Sequence, residues 1–168
     1  TQIAAVAAAT AKRVAQEIHD DNTLRRTIDQ SITEEALLQI STDKEHASKC
    51  TNLVFQSDWH KGVVGIVASR IIETHYRPTI VLTESNGLLT GSARSVGSIN
   101  LYEVLESCKE HLTQFGGHHY AAGLTMPKEN LDAFRLAFDQ EVKQRLNGAA
   151  LEALQAIDMN IDLNDIQT

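Results

Sequence analysis

The residues best suited to chemistry lie in two short runs, and the first is residues 91–95, Gly-Ser-Ala-Arg-Ser. It sets the hydroxyls of Ser92 and Ser95 beside the guanidinium of Arg94. A guanidinium can donate to two phosphate oxygens at once, and each hydroxyl can donate one further bond. The run therefore predicts a site for a phosphorylated ligand. The alternative is a polar strand end whose arginine pairs with a nearby carboxylate.

The second run, residues 116–123, surrounds His118 with small residues, namely Gly116, Gly117, Ala121, Ala122 and Gly123. A backbone this bare lets a ligand or another chain segment approach the amides closely. His118 is suited to contact a phosphate or to act as a general acid or base. The alternative is a tight loop in which His118 caps a carbonyl. We expect a Gly-rich turn here, with His119 pointing away and less important.

A third set, Trp59 and His60, precedes a predicted helix. A tryptophan can stack on a nucleobase, and a histidine at a helix N-terminus lies where the helix dipole attracts phosphate. More often a lone tryptophan anchors a hydrophobic core. Both interpretations stay open for Trp59.

Composition narrows the class of protein. The net charge of −7 argues against a protein that coats nucleic acid non-specifically. Residues 51–147 carry nine basic and ten acidic groups, so a local basic groove remains possible there. Two distant cysteines, Cys50 and Cys108, predict reduced thiols in a cytoplasmic protein. Because no apolar run reaches the roughly 20 residues that cross a bilayer, we expect no membrane partner.

Hydrophobic periodicity and turn residues supply the elements that position these runs. They predict helices over 2–28, continuing through 31–40, and over 62–76, 101–112 and 127–146, with strands at 52–55, 79–83, 88–93, 120–126 and 159–163. The order predicts an α/β domain, a mixed β-sheet with packed helices, preceded by a long connector helix. In the last helix Leu131, Phe134, Leu136 and Phe138 are predicted to face the core.

The three runs in this order resemble the DHHA1 domain of the DHH phosphoesterase superfamily, and more closely its single-stranded-DNA-specific exonucleases. The matching stretches are WHKGVVGIVA from Trp59, GSARS from Gly91, and Gly116-Gly117-His118 followed by Ala121-Ala122-Gly123. The resemblance implies three parts. Residues 1–50 form a helical connector to a DHH catalytic domain outside this sequence, residues 51–147 a DHHA1-like substrate-binding domain, and residues 148–168 the start of an oligonucleotide-binding-fold region.

The resemblance also implies what the parent protein does. It would be a metal-dependent 5′-to-3′ single-stranded-DNA exonuclease of DNA repair and recombination. The superfamily's DHH domain holds two Mn²⁺ or Mg²⁺ ions on clustered aspartates and histidines. The nearest string here is His19-Asp20-Asp21, with no other ligand set around it, so we expect no metal or cofactor in this chain and no cleavage by it alone.

Site residues follow from the resemblance position by position. Ser92, Arg94 and Ser95 would bind the terminal phosphate. His118, backed by Gly116 and Gly117, would contact the scissile or adjacent phosphate, which makes it the one candidate catalytic residue. The small residues Ala121, Ala122 and Gly123 would admit the strand, while Trp59 and His60 would shape the cleft wall.

Two other functions stay open. The chain could belong to a superfamily phosphoesterase acting on short oligoribonucleotides or cyclic dinucleotides. It could instead be a non-catalytic module that docks on a repair protein through its first helix. The partners we expect are single-stranded DNA and repair proteins such as a helicase or a single-strand-binding protein.

Overall fold

The computed structural model describes residues 2–153, so the strand predicted at 159–163 lies outside the described residues. Nine helices and strands build this part of the chain. The helices are α1 (Gln2–Thr42), α2 (Val64–Thr74), α3 (Leu101–Ser107) and α4 (Leu131–Leu146), and the strands are β1 (Asn52–Phe55), β2 (Thr79–Ser85), β3 (Leu88–Arg94), β4 (Gln114–Gly117) and β5 (Ala121–Met126).

The five strands form one mixed sheet in the order β1-β2-β3-β5-β4. β1 and β2 are parallel and are joined through α2, whereas the other neighbouring pairs are antiparallel. A tight turn at Asn86 and Gly87 joins β2 to β3, and both residues have positive φ, 54° and 76°. Asparagine and glycine tolerate that conformation, which suits a two-residue hairpin loop. The predicted mixed α/β fold is confirmed.

The two faces of the sheet are covered unequally. On one face α3 and α4 enclose the larger core, whose most fully buried members include Leu82, Leu89, Leu105, Phe134 and Phe138. On the other face the second half of α1 and all of α2 pack over β1, β2 and the adjoining side of β3. The remainder of that face, over β3, β5 and β4, stays accessible to solvent. We call it the open face.

Five sequence predictions differ from the structure. Residues Gln114–Gly117 form strand β4, where we expected a turn. The helix expected from residue 62 begins at Val64, because a turn precedes it. The helix expected over 101–112 ends at Ser107, and the one expected from 127 begins at Leu131. Leu136, expected in the core, is 65% exposed.

Helix α1 runs unbroken for 41 residues and so includes both of the stretches predicted helical, 2–28 and 31–40. Its residues 10–27 are exposed, whereas Ile32, Ala36 and Ile40 are buried against α2 and β1. That apolar stripe at i, i+4 and i+8 fixes the second half of the helix to the domain. The first half projects from it.

An ion pair reinforces this attachment. Asp29 of α1 has a side chain only 4% exposed, and its Oδ1 lies 2.7 Å from Nη1 of Arg70 on α2. The contact is an ion pair, not a well-aligned hydrogen bond, since Oδ1 has no hydrogen-bond partner among the described residues. A carboxylate buried this deeply depends on its cation, because removing one partner leaves an uncompensated charge.

Replacing Arg70 by alanine tests this dependence. We expect the free energy of unfolding to fall by about 2 kcal/mol, less than for a fully buried pair because Arg70 is itself 40% exposed. Urea unfolding followed by circular dichroism measures the change. The control is Arg13→Ala, which removes an exposed pair with Glu17 and should cost under about 0.5 kcal/mol. Equal effects of the two variants would contradict a special role for Asp29.

Two histidines pack where α1 and α2 both end. The rings of His46 and His75 meet edge to face with centroids 5.5 Å apart. Arg77 donates to the carbonyl of His46 at 2.7 Å, and Asn52 bonds His46 Nε2 at 2.9 Å. Desolvation lowers the pKa of His75, and the charges of His46 and Arg77 lower it further.

Because the folded state holds the pKa of His75 below its unfolded value of about 6.5, the unfolded chain binds the proton more readily. The free energy of unfolding should therefore have its full value above about pH 6.5. It should decrease as the pH falls from there towards the lower pKa that His75 has in the folded state. Melting temperatures measured between pH 5 and pH 8 should show this slope. His75→Gln should flatten it, whereas His19→Gln, on the exposed part of α1, should not.

Candidate nucleic-acid interface

Three rows of side chains cross the open face from β3 through β5 to β4. Arg94 pairs with Ala121, and the His118 amide donates to the Ala121 carbonyl at 2.9 Å, which makes the first row. The second and third rows are Ser92, Gly123 and Gly116, followed by Thr90, Thr125 and Gln114. Because residues i and i+2 share a face, successive rows lie about 7 Å apart. Folding thus brings the two sequence runs together.

The second row contains two glycines, Gly116 and Gly123, and the fold requires glycine at neither position. A Cβ added at Gly116 would meet nothing within 4 Å, and one at Gly123 would meet only the Gly91 carbonyl oxygen, at 3.9 Å. Neither glycine has the positive φ that excludes other residues. Both positions would accept alanine without strain, so the space above them is open to a ligand.

Two other glycines are required by the fold. Gly117 has φ 151°, and a Cβ there would lie 2.3 Å from the Ala121 carbonyl oxygen. A Cβ at Gly91 would lie 2.2 Å from the Val81 carbonyl oxygen. These two residues permit close strand pairing, whereas Gly116 and Gly123 leave the surface flat.

Arg94 is a half-buried cation that lies between β3 and α2. Its Nη1 donates to the Ser92 hydroxyl at 2.7 Å and to the Ala93 carbonyl at 2.8 Å, and its Nε donates to the Ser69 hydroxyl at 3.2 Å. In the part of the chain that the structure describes, no carboxylate forms a salt bridge with it. The carboxylate-paired alternative therefore finds no support among these residues.

Burial without a counter-ion has an electrostatic consequence at Arg94. Desolvation lowers the pKa of its guanidinium below the usual value. The charged form is still the one present at neutral pH, because a guanidinium in a protein does not lose its proton there. An anion bound beside it would offset part of the desolvation cost. Such a group is suited to a phosphate more than to a neutral ligand.

The two serines of the GSARS run differ. The Ser92 hydroxyl accepts from Arg94, so its own proton remains available to a ligand. Ser95 is 7% exposed, and its hydroxyl donates to the Ile99 carbonyl while its amide donates to the Tyr120 carbonyl. Ser95 therefore holds the loop after β3 against the β4–β5 hairpin.

His118 lies at the tip of the β4–β5 hairpin and is exposed. The backbones of His118 and Arg94 lie on either side of Ala121, so they are two strand spacings, about 10 Å, apart. The Nδ1 of His118 accepts from the Tyr120 amide at 3.4 Å, so the neutral ring carries its proton on Nε2. His119 differs, since its Nε2 is buried and its ring packs on Tyr120 with centroids 4.4 Å apart.

Trp59 and His60 support the loop before α2. Trp59 is 5% exposed, its Nε1 donates to Glu35 at 2.9 Å, and its carbonyl accepts from the buried Thr83 at 2.6 Å. It is a core anchor in this structure, with no face free for stacking. His60 is exposed, and its Nδ1 accepts from the Gly62 amide at 3.1 Å.

These two residues lie apart from the first row. Thr83, which Trp59 contacts, pairs with Thr90, whereas Arg94 pairs with Thr79 four residues along the strand. That separation is about 13 Å. The structure thus gathers Ser92, Arg94, Gly116, His118, Ala121 and Gly123 on one surface, while Trp59 and His60 stand at its far end. Ala122 and Gly117 belong to the opposite side of the sheet.

Sequence reasoning missed the third row. Thr90 follows the same alternation as Ser92 and Arg94, and that signal was available from β3 alone. Gln114 could be placed only once β4 was known to pair with β5. Thr125 needed the register of β5 against β3.

Within residues 2–153, no group of three or more histidines, cysteines, aspartates and glutamates is placed to hold a metal ion. The residues present therefore do not fit a two-metal centre. The same part of the chain contains no helix long and apolar enough to cross a membrane.

Comparison with known proteins assigns the fold to a family. Residues 47–144 match the DHHA1 domain family. The single-stranded-DNA-specific exonuclease RecJ of Bacillus subtilis is 34% identical over 158 residues, 93% of this chain and 20% of that protein. RecJ of Haemophilus influenzae is 38% identical over 117 residues, 67% of this chain and 20% of that protein. This chain thus spans about a fifth of these relatives.

Solved structures agree. RecJ from Thermus thermophilus in complex with Mg²⁺ matches with a TM-score of 0.67 and 31% identity, over 76% of this chain and 19% of that one. An exonuclease RecJ bound to manganese matches with a TM-score of 0.67 and 29% identity, over 80% of this chain and 34% of that one. The resemblance inferred from the three runs is confirmed: the chain belongs to the DHHA1 domain family and is similar there to the RecJ exonucleases.

Proposed function

We propose that this chain forms the nucleic-acid-binding half of a metal-dependent 5′-to-3′ single-stranded-DNA exonuclease that acts in DNA repair and recombination. The observation that carries the proposal is Arg94, a half-buried cation without a carboxylate partner among the described residues, beside a glycine floor open to solvent. A strand whose terminal phosphate meets Arg94 can lay its backbone across Gly123 and Gly116. The specificity of the RecJ relatives for single-stranded DNA supports this choice of ligand.

Each residue of the first two rows then has a role. Arg94 and Ser92 bind the terminal phosphate, and Ala121 leaves the space between Arg94 and His118 free. His118, exposed at the hairpin tip, donates from Nε2 to the scissile or adjacent phosphate. Ser95, Trp59 and His60 are positioning residues, since their polar groups hold the loops that border the open face.

The metal ions belong to the other half. We assign Mn²⁺ or Mg²⁺ to a DHH domain joined through residues 1–50, because the described residues hold no suitable ligand group. Residues 51–147 bind substrate, and residues 148–168 lead towards an oligonucleotide-binding-fold region. This chain alone should bind strands without cleaving them. The free thiols of Cys50 and Cys108 are in keeping with a cytoplasmic enzyme.

The projecting half of α1 offers a surface for protein contacts. Val14, Ile18 and Leu24 are 41%, 56% and 62% exposed on it. Val14 and Ile18 lie one turn apart and share a side of the helix, and adjoining exposed apolar side chains are typical of an interaction site. We assign this surface to the DHH domain first, and to a repair partner such as a helicase or a single-strand-binding protein second.

Removing the guanidinium tests the phosphate site. Arg94→Ala should weaken binding of a 5′-phosphorylated single strand by about 2 kcal/mol, roughly 30-fold, because the lost bonds are to a charged group. It should also reduce the slope of log affinity against log salt by about 1. Fluorescence anisotropy over a series of salt concentrations, with and without the 5′ phosphate, measures both quantities.

The matched control for Arg94→Ala is Arg26→Ala, which removes the same charge from the exposed part of α1. It should change the affinity less than two-fold. Equal losses in the two variants would show that only net charge matters. Unchanged affinity in Arg94→Ala would remove Arg94 from the site.

The glycines permit a second test that separates binding from folding. Gly116→Ala and Gly123→Ala should keep or slightly raise the melting temperature, because the added Cβ meets open space and restricts the unfolded chain. Both should weaken strand binding by crowding the floor. Gly117→Ala should instead destabilise the fold by about 2 kcal/mol, since its Cβ collides with β5. Normal binding by both floor variants would contradict the proposed path of the strand.

A further inference from the structure

Beyond the phosphate site, the open face contains a trough whose third row, Thr90, Thr125 and Gln114, has no role in the proposed function. It is a depression of about 320 Å³ whose exposed side chains and floor are Thr90, Gln114, Gly116, Gly123 and Thr125. Its volume falls at the lower end of the range for small-molecule sites, about 300–1,000 Å³. It begins at the second row and ends at the third, so it continues directly from Ser92 and Arg94.

The trough is polar and uncharged. None of the residues that line it carries a charge. The Thr90 hydroxyl reaches the Leu124 carbonyl at 3.4 Å, and the Thr125 hydroxyl reaches Thr90 at 3.5 Å, both at the long limit of a hydrogen bond. These hydroxyls are weakly engaged and can turn to a ligand. Gln114 is exposed and adds both a donor and an acceptor.

The chemistry of the trough excludes two parts of a nucleotide. A phosphate would find no cation there, and cations supply most of the affinity for phosphates. A base would find no aromatic platform, because Phe115 packs on Tyr102 of α3, with ring centroids 5.7 Å apart. Hydroxyls, an amide and a flat glycine floor match a deoxyribose ring, whose ring ether and 3′ oxygens accept hydrogen bonds.

We propose that this trough is a second subsite, in which Thr90, Thr125 and Gln114 bind the sugar of the nucleotide that follows the terminal one. The proposal rests on the proposed function, since Arg94 must hold the terminal phosphate to set the register. The spacing of about 7 Å between rows places the trough one to two rows beyond that phosphate. Binding there adds affinity without adding salt dependence or base preference.

The test compares ligands that differ by one nucleotide. Binding of thymidine 5′-phosphate, 5′-phosphorylated dithymidylate, and a dinucleotide whose second unit is an abasic tetrahydrofuran sugar is followed by NMR titration of this chain. We expect both two-unit ligands to bind more tightly than the mononucleotide. The abasic ligand should keep most of the gain.

Variants then assign the gain to the trough. Thr125→Val and Gln114→Ala should each reduce the affinity for the two-unit ligands about 5-fold, the size of one neutral hydrogen bond, and leave the mononucleotide unchanged. Thr113→Val, an exposed neighbour outside the trough, is the matched control. Arg94→Ala should weaken all three ligands alike and is the only variant expected to change the salt slope.

The outcomes separate the two proposals. The sugar subsite is overturned if the higher affinity for the two-unit ligands persists in both trough variants, or if the unsubstituted chain does not show it. Either result leaves the phosphate site intact. Loss of the gain with the abasic ligand shows recognition of the base and also overturns the sugar subsite. Binding that ignores Arg94 but needs the trough contradicts the proposed phosphate site. No binding of any ligand contradicts both.

Discussion

The close approach of α2 to β3 determines where the open face begins. Gly65 makes it possible, because a Cβ there would lie 2.9 Å from Nη2 of Arg94 and 3.3 Å from the Ser92 hydroxyl. Ser69, one turn later, contacts Arg94 directly. A larger residue at position 65 would displace the Arg94 guanidinium and the Ser92 hydroxyl from this contact. The unusual state of Arg94, half-buried yet without an ion pair among the described residues, depends on that contact.

The same helix connects the site to α1. Arg70 of α2 pairs with Asp29, and Trp59, just before α2, donates to Glu35. Gln39 bonds both the amide and the carbonyl of Phe55 and so covers part of the free edge of β1. Because α1 is attached to the loop, the helix and the sheet, its second half and the open face move as one body. In the proposed enzyme this rigidity would set the distance between the bound phosphate and a domain joined through α1.

The sequence was sufficient where local signals and the fold agree. Strands β1, β2 and β3 are short apolar or alternating runs bounded by turn residues, and the Asn86-Gly87 turn specifies its own hairpin. Strand β4 was not predicted because two of its four residues are glycine, which has low strand propensity. Only its pairing with β5 makes this segment a strand. The prediction for Leu136 was wrong because it used the residue's apolar character and not its position around the helix. The buried residues of α4 are Phe134, Phe138 and Val142, which share one side of the helix.

The net charge of −7 argues against a DNA ligand only if the charge is averaged over the whole chain. Several cations of the described domain are already paired, among them Arg70, Lys109, Lys128 and Arg145. Arg94 differs because its bonds go to neutral groups. A strand held by one strong phosphate contact and a neutral surface would bind weakly and leave easily. An exonuclease that advances along its substrate needs such a surface, because tight binding at every phosphate would oppose each forward step.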